Sequence, residues 1–208
     1  MFFLELMRYL PSINFFLKLG LLSIGSLVFF FPQWPQFLHK SIPFRFVAFN
    51  ILSFILPFLW FTKARKKPYP FLADIIFTLP LFLDIFGNAV FLFWTGWYDK
   101  LVHGFNVLLY GIFFVALILA IRPKTSPVVA ALAAAGLSSL GHISWEVIEY
   151  FFQFIGGSDL HLTYEDTLFD LSAGVLGSLV SIFIARMIFS ISFVNEELVK
   201  PLSYIFSK

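Results

Sequence analysis

The chain has 208 residues, of which 60% are hydrophobic and only 12% charged, and its formal net charge is +2. An average soluble protein has roughly 45–50% apolar and 25% charged residues, so this composition excludes an ordinary soluble domain and indicates an all-α polytopic membrane protein. The small net charge argues against nucleic acid as a partner. The absence of cysteine excludes disulfides, thiolate metal sites and a cysteine nucleophile.

Six hydrophobic segments are each long enough to cross a bilayer as a helix. They cover about Ser12–Phe31, Phe44–Thr62, Phe71–Trp94, Lys100–Ile121, Pro127–Ile155 and Asp166–Phe193. Pro57 and Pro80 are expected to kink the second and third helices, because proline cannot donate the helical hydrogen bond. We therefore expect a transmembrane helix bundle of about six spans that forms a single domain over residues 1–208, with its polar half at about residues 71–193.

Basic residues follow the second and fourth spans, and the opposite loops carry the acidic stretch Asp159–Asp166. The basic loop residues are Lys63, Arg65, Lys66, Lys67, Arg122 and Lys124. The positive-inside rule places these loops and both termini in the cytoplasm, with the protein in the cell membrane. The terminal pieces FFLELMRYL and NEELVKPLSYIF are mildly amphipathic and are expected to lie along the inner surface.

Acidic and imidazole side chains in the last four spans recur four residues apart, which puts each pair on one helix face. The pairs are Asp84 with Asn88, Asp99 with His103, His142 with Glu146 (extended by Glu149), and Asp166 with Asp170. With the orientation above, all of them fall in the external half of the bilayer. We expect them to form one site that faces the extracytoplasmic side.

Ionised carboxylates are costly in an apolar span unless a positive group neutralises them. Within the pattern only Lys100 and two histidines can do so. Three interpretations follow: a divalent metal, a proton or substrate cation, or structural pairing. Donors without sulfur suit Mg²⁺, Mn²⁺, Fe²⁺ or Zn²⁺. The expected metal ligands are His103, Glu149, Asp170, Asp166 and His142. Asp99 and Glu146 are candidate general bases, Glu146 also being a possible ligand, and Asp84, Asn88 and Lys100 line the site.

Small and neutral polar residues surround these pairs. Glycine and alanine let transmembrane helices approach closely, and those near the pairs are Gly87, Gly104, Gly141, Ala173, Gly174 and Gly177. The neutral polar residues expected to form hydrogen bonds between helices are Asn88, Asn106, Ser138, Ser139 and Ser172. His39 and His161 lie in loops and are expected to be solvated.

Three ordered motifs, YDKLVHGFNVLLYG, WEVIEYF and YEDTLFDLSAGVLGSLV, resemble the VanZ-like integral membrane proteins and the related YjdF-type family. Asp99, Lys100 and His103 match the first VanZ-like element, Glu146 or Glu149 the second, and Asp166 with Asp170 the third. The chain departs from the VanZ-like pattern at Tyr150, where glutamine is usual, and around Ala173 and Gly174, where asparagine is usual. The Trp-Glu-x-x-Glu form is closer to the YjdF type.

The resemblance covers about Asp84–Ser181. It implies a small multi-helix membrane protein, linked in VanZ-like cases to resistance against glycopeptide antibiotics of the teicoplanin type. It implies no particular reaction.

Three functions remain open at this stage. The first is a metal-dependent enzyme that acts on a lipid or lipid-linked envelope substrate. The second is a proton- or cation-coupled transporter or flippase, which is disfavoured because the inner half of the predicted bundle has few polar residues. The third is a non-catalytic membrane scaffold. The bilayer is the one partner that the sequence implies, and the substrate and the oligomeric state stay open.

Overall fold

The computed structural model describes residues 2–37, 42–155 and 162–207, and these ranges are helical apart from short connections. The helices before the midpoint of the chain are α1 (Phe2–Phe30), α2 (Ile42–Ser53), α3 (Ile55–Lys63) and α4 (Phe71–Ala89). The next three helices are α5 (Trp97–Ile121), which crosses the midpoint, α6 (Pro127–Phe154) and α7 (Tyr164–Ile188). The segment that follows α7 consists of α8 (Ser192–Val194), a π-helical turn (Asn195–Val199) and α9 (Lys200–Phe206).

Among the described residues, six helical segments are long and apolar enough to cross a membrane. They are Arg8–Phe30, Phe44–Lys63, Phe71–Ala89, Trp97–Ile121, Pro127–Phe154 and Tyr164–Ile188. The predicted all-α bundle of six spans is therefore confirmed. At the start of the chain, α1 begins at Phe2 and runs into the first span without a break, so FFLELMRYL is not a separate surface piece.

The second span is interrupted where α2 ends and α3 begins, close to Pro57. Proline has no N–H to donate, and its ring clashes with the carbonyl four residues earlier, which here belongs to Ser53. The freed Ser53 carbonyl accepts a hydrogen bond from the Lys18 ammonium group of α1. The predicted distortion at Pro57 is thus a helix break, whereas α4 runs through Pro80 as one helix.

Two spans end earlier than the hydrophobic pattern predicts. The third ends at Ala89 rather than Trp94, because Phe91 has a φ of +62°, which a right-handed helix cannot contain. The sixth ends at Ile188 rather than Phe193. The chain turns there, and the Asn195 amide donates to the Phe189 carbonyl at 3.2 Å.

The bundle is centred on α5, which packs against α4, α6 and α7, while α1 packs against α2 and α4. We call the end that carries residues 63–70 and 122–126 the basic end. Near it, small side chains such as Ala116 and Ala134 allow tight packing, and Leu198 and Leu202 of the C-terminal segment are buried in the same core. NEELVKPLSYIF therefore packs into the bundle and does not merely lie along a surface.

Candidate functional site

Four helices bring their polar residues together at the end of the bundle opposite the basic end. The last turns of α4 and α6 and the first turns of α5 and α7 meet there. Asp84, His142, Glu146, Glu149 and Asp170 are all buried. Every residue of the predicted site lies in this cluster or directly beside it. His39 and His161, expected to be solvated, lie outside the described residues.

An arginine that the sequence pattern did not indicate lies at the centre of one half of the cluster. Arg45, near the start of α2, is 5% exposed. Its Nη2 contacts the Glu149 carboxylate, its Nη1 lies 3.5 Å from Asp84 Oδ1, and its guanidinium lies 5.0 Å from the Trp145 ring centre. The signal that could have found it is the charge itself, since an arginine inside an apolar span must face a partner.

Lys100 neutralises the second half of the cluster. Its ammonium group lies 3.0 Å from Asp99 Oδ2, 3.0 Å from Asp170 Oδ1 and in direct contact with Asp166. Besides Arg45, the Asp84 carboxylate has an amide partner, because Asn88 Nδ2 donates to Asp84 Oδ1 at 3.5 Å and to the Asp84 backbone carbonyl at 3.0 Å. These contacts assign Glu149, Asp84 and Asp166 to positively charged or amide partners.

Two histidines and a glutamate form the part of the cluster whose potential metal-ligand atoms make no ion pair with Arg45 or Lys100. His103 Nδ1 lies 2.8 Å from His142 Nε2 and 3.4 Å from Glu146 Oε1, and His142 Nε2 lies 3.3 Å from the same Glu146 oxygen. On the far side of its ring, His103 Nε2 lies 3.3 Å from Asp99 Oδ1. A hydrogen on Nε2 facing Asp99 leaves the Nδ1 lone pair directed at His142 and Glu146.

Glu146 is 6% exposed, and neither of its carboxylate oxygens accepts a hydrogen bond within the described part of the chain. An ionised carboxylate in that position requires a positive neighbour. Counted over the described ranges, the cluster has six carboxylates and two permanent cations, Arg45 and Lys100. Four negative charges are therefore in excess when both histidines are neutral, and two when both are protonated.

The three donor groups of His103, His142 and Glu146 fit a metal ion. Their ligand atoms lie within 4.8 Å of one another, as do those of Asp99, His103 and Asp170. A tetrahedral metal with ligand bonds of about 2.0–2.2 Å separates its donor atoms by roughly 3.3–3.6 Å. The distances from Glu146 Oε1 to the two histidine nitrogens, 3.3 and 3.4 Å, already match this separation. Only the 2.8 Å distance between the two histidine nitrogens has to increase.

Glycines set how closely the helices approach around His103, His142 and Glu146, as the sequence predicted. Four of the predicted positions leave little or no room for a Cβ: Gly87, Gly104, Gly174 and Gly177. A Cβ on Gly174 would lie 2.2 Å from His142 Nδ1, and one on Gly177 would lie 2.1 Å from the Gly104 carbonyl oxygen. Gly87 is similarly confined by Tyr98. Gly141 is different, because a Cβ there would meet nothing within 4 Å.

The sequence predicted hydrogen bonds between helices for five neutral polar residues: Asn88, Asn106, Ser138, Ser139 and Ser172. All five lie within the described ranges, and most of the predicted bonds are absent there. Ser139 does bond to Ser178 of α7, at 2.5 Å. Ser138 and Ser172 instead bond to backbone carbonyls of their own helices. The buried Asn106 Oδ1 accepts no hydrogen bond from the described residues.

Two cavities meet at the site. A polar cavity of about 120 Å³ is lined by charged residues that include Arg45, Asp99 and Asp170. A larger cavity of about 310 Å³ is lined mainly by aromatic and aliphatic side chains. Asp84 and His103 line both of them.

A second buried polar network, which the sequence reasoning missed, lies nearer the basic end. Asp74 of α4 is fully buried and accepts hydrogen bonds from Asn14 at 2.7 Å, Lys18 at 3.0 Å, Tyr69 at 2.5 Å and Thr78 at 3.2 Å. Burial raises the pKa of the Tyr69 hydroxyl above its usual range, and the Asp74 charge raises it further. The half of the bundle nearer the basic end is therefore less apolar than expected.

The fold and the site together define a polytopic helical membrane protein with a buried Asp/Glu/His cluster. A family model described as "Predicted membrane protein (DUF2238)" matches residues 17–190, and the chain belongs to that family. The match supports an uncharacterised membrane-protein family and confirms neither the VanZ-like nor the YjdF-type assignment. No curated protein and no solved structure matches the chain.

Proposed function

We propose that this protein is a membrane enzyme that uses a divalent metal ion to act on a lipid or lipid-linked substrate at the extracytoplasmic side. The observation that carries the proposal is Glu146, a buried carboxylate to which no described residue donates a hydrogen bond and which lies 3.3–3.4 Å from two imidazole nitrogens. A purely structural carboxylate would be expected to have such donors. A cation at this point would satisfy Glu146 and reduce the excess negative charge of the cluster.

In this proposal the metal ligands are His103 through Nδ1, His142 through Nε2 and Glu146 through its carboxylate. This set differs from the one expected from the sequence, because Glu149 contacts Arg45 and Asp166 contacts Lys100. A set of two histidines and one glutamate leaves a fourth position open and is typical of catalytic zinc. Imidazole also favours Zn²⁺, Fe²⁺ or Mn²⁺ over Mg²⁺.

The remaining polar residues take supporting roles. Asp99 positions the His103 ring through Nε2, as carboxylates do for metal-bound histidines. Asp170, 2% exposed and with an Oδ1 that accepts no hydrogen bond of good geometry from the described residues, is the proposed general base. Arg45 lines the polar cavity, and Arg45 and Lys100 hold the neighbouring carboxylates of Glu149 and Asp166 in place by ion pairs.

A bound divalent cation supplies Lewis-acid chemistry, polarising a phosphoryl or carbonyl oxygen and making water more acidic. Three protein ligands would leave room for water or substrate at the metal, and together with the adjacent polar cavity this supports hydrolysis or group transfer at such an oxygen. The substrate is proposed to be lipid-borne because the site is buried within the membrane-spanning part of the chain.

The test is metal analysis of detergent-purified protein that carries no polyhistidine tag. Stoichiometric zinc, manganese or iron is expected in the wild type, and Glu146→Gln and His103→Asn should lose it. The exposed Glu165 at the same end of the bundle supplies a matched control, Glu165→Gln, which should retain the metal. Because the chain has no cysteine, zinc bound to stray thiolates cannot account for the result.

Activity is then compared in proteoliposomes made from lipids of the source membrane, with products identified by mass spectrometry. Chelated protein should form no product, and addition of the metal should restore it. A wild type that purifies without metal, or product formation that persists after chelation, would refute the proposal. Melting temperatures measured on every variant separate lost chemistry from lost folding, which a scaffold role predicts.

A second candidate, cation-coupled transport, is favoured by the network around Asp74. It places a buried carboxylate and a partly buried lysine in the half of the bundle that was expected to be apolar. Ionisable groups in both halves of a transmembrane helix bundle are typical of proton relays. A flux across proteoliposomes that depends on a proton gradient and is lost in Asp74→Asn would favour transport over the enzyme.

A further inference from the structure

The larger cavity continues from the site along the four helices that surround it. On α5 its lining starts at His103 and continues through Asn106 and Tyr110 to Phe114. At 1.5 Å per residue, His103 to Phe114 spans roughly 16 Å, about half of the ~30 Å hydrocarbon core. The cavity therefore runs along the bundle from the polar cluster toward the middle of the membrane.

The lining changes from polar to apolar on two of the walls, α2 and α4. On α2 the lining passes from Arg45 in the polar cavity to Phe49 in the larger one. On α4 it passes from Asn88 in the polar cavity to Leu81 in the larger one. Asp84 and His103 mark the boundary, so a molecule that occupies both cavities has one polar and one apolar part.

Gly141 is the candidate entrance to the larger cavity. It lines the cavity, is itself exposed, and has no atom within 4 Å of where its Cβ would lie. Since α6 is a membrane-spanning segment, an exposed residue in its middle faces lipid. A hydrocarbon chain can thus reach the cavity sideways from the bilayer.

We propose that the site binds a single-chain amphiphile, with its hydrocarbon chain in the larger cavity and its polar group at Asp84 and His103. The inference deepens the proposed function by naming the class of substrate for the same site. A cavity of about 310 Å³ lies at the lower end of ligand pockets, which suits one chain segment rather than the two chains of a phospholipid. The Asn106 oxygen at the wall, to which no described residue donates, accepts a hydrogen bond from water or from a hydroxyl near the polar group.

The experiment uses quenching of Trp145, which lines the cavity. A lysophosphatidylcholine with a dibrominated acyl chain is titrated into the purified full chain, and bromine that contacts the indole quenches its fluorescence. The saturable quenching that disappears in Trp145→Phe is the signal from the cavity. We expect this signal in wild-type protein, in both metal-loaded and chelated samples.

Two glycines of α6 make a matched pair of variants. Gly141→Phe fills the candidate entrance and should abolish the saturable signal. Gly136 is also exposed, with no atom within 4 Å of where its Cβ would lie, but it does not line the cavity, so Gly136→Phe should keep the signal. If Gly141→Phe fails to fold, Gly141→Leu tests the same position with a smaller side chain.

Equal signals from the two glycine variants, or a wild type without saturable quenching of Trp145, would overturn the inference. Metal content measured on the same samples keeps the two proposals apart. If the protein binds metal but no acyl chain, the amphiphile proposal is refuted and the metal-site proposal is unaffected. If it binds the acyl chain but no metal, the metal-dependent enzyme is refuted and the amphiphile proposal is unaffected.

Discussion

The Arg45 guanidinium on α2 contacts the Glu149 carboxylate on α6, and both side chains are more than nine-tenths buried. The pair joins two helices whose nearby aromatic residues also touch, Phe49 with Trp145 and Phe44 with Phe152. It therefore closes the wall of the bundle beside the candidate site. Removal of either partner would leave the other charge buried and uncompensated.

Arg45→Met should destabilise the protein by about 3–5 kcal/mol, because it leaves Glu149 and Asp84 without their cation. The double variant Arg45→Met/Glu149→Gln should recover part of this loss, since one of the stranded charges is gone. Unfolding in detergent measures both changes. Additive losses in the double variant would contradict the pairing, and Glu165→Gln serves as the control.

Gly177→Ala should destabilise the bundle by about 1–3 kcal/mol or more, because its methyl group would overlap the Gly104 carbonyl, a backbone atom that cannot rotate away. Gly136→Ala should be neutral or stabilising by up to about 1 kcal/mol, since the space is open and alanine favours a helix. Thermal unfolding of the two alanine variants in the same detergent checks this. A similar melting temperature for both would show that α5 and α7 do not pack this closely.

Tyr69→Phe should cost about 1.5–3 kcal/mol near neutral pH, because it removes a hydrogen bond to the charged Asp74. The pKa of Tyr69 is raised in the folded protein, so its contribution is fully present below its ordinary value of about 10. The contribution is lost as pH rises beyond that value toward the folded-state pKa. Unfolding of wild type and Tyr69→Phe between pH 6 and pH 11 should show a constant difference that narrows only above about pH 10. A difference that narrows below pH 9 would contradict this assignment.

The predicted orientation can be tested by cysteine labelling, since the chain has no cysteine of its own. Lys66→Cys and Glu165→Cys place exposed thiols at the basic end and at the opposite end. A membrane-impermeant maleimide added to intact cells should label position 165 and should reach position 66 only after lysis. The reverse pattern would place the candidate site on the cytoplasmic side.

Much of the architecture was predictable from the sequence because hydrophobic segment length alone sets the number of spans. It was also predictable that the four polar pairs lie close together. The four-residue spacing puts each pair on one helix face, and the alternating direction of successive spans puts all four pairs at one end of the bundle. The helix ends were harder. The early end of the third span depends on Phe91 in a left-handed backbone conformation, which hydrophobicity does not encode.

The partners of the charged groups were the part that sequence spacing left undetermined. Arg45 and Lys18 each lie in a helix with no acidic neighbour at helical spacing, and their partners are 104 and 56 residues away along the chain. No local pattern can specify such pairs, because they depend on which helices pack side by side. The search for paired carboxylates also passed over Asp74, whose network joins α1 and α4.

By itself, the sequence determined that this chain is a bundle of membrane-spanning helices whose acidic and imidazole groups gather at one end. Those properties follow from transfer free energy and from the 3.6-residue period of a helix. Only the tertiary structure decided which carboxylates are neutralised by Arg45 and Lys100 and which one, Glu146, is left beside two histidines. The reason is that charge compensation in a membrane interior is a property of neighbouring helices, at distances of a few ångströms that the order of residues does not specify.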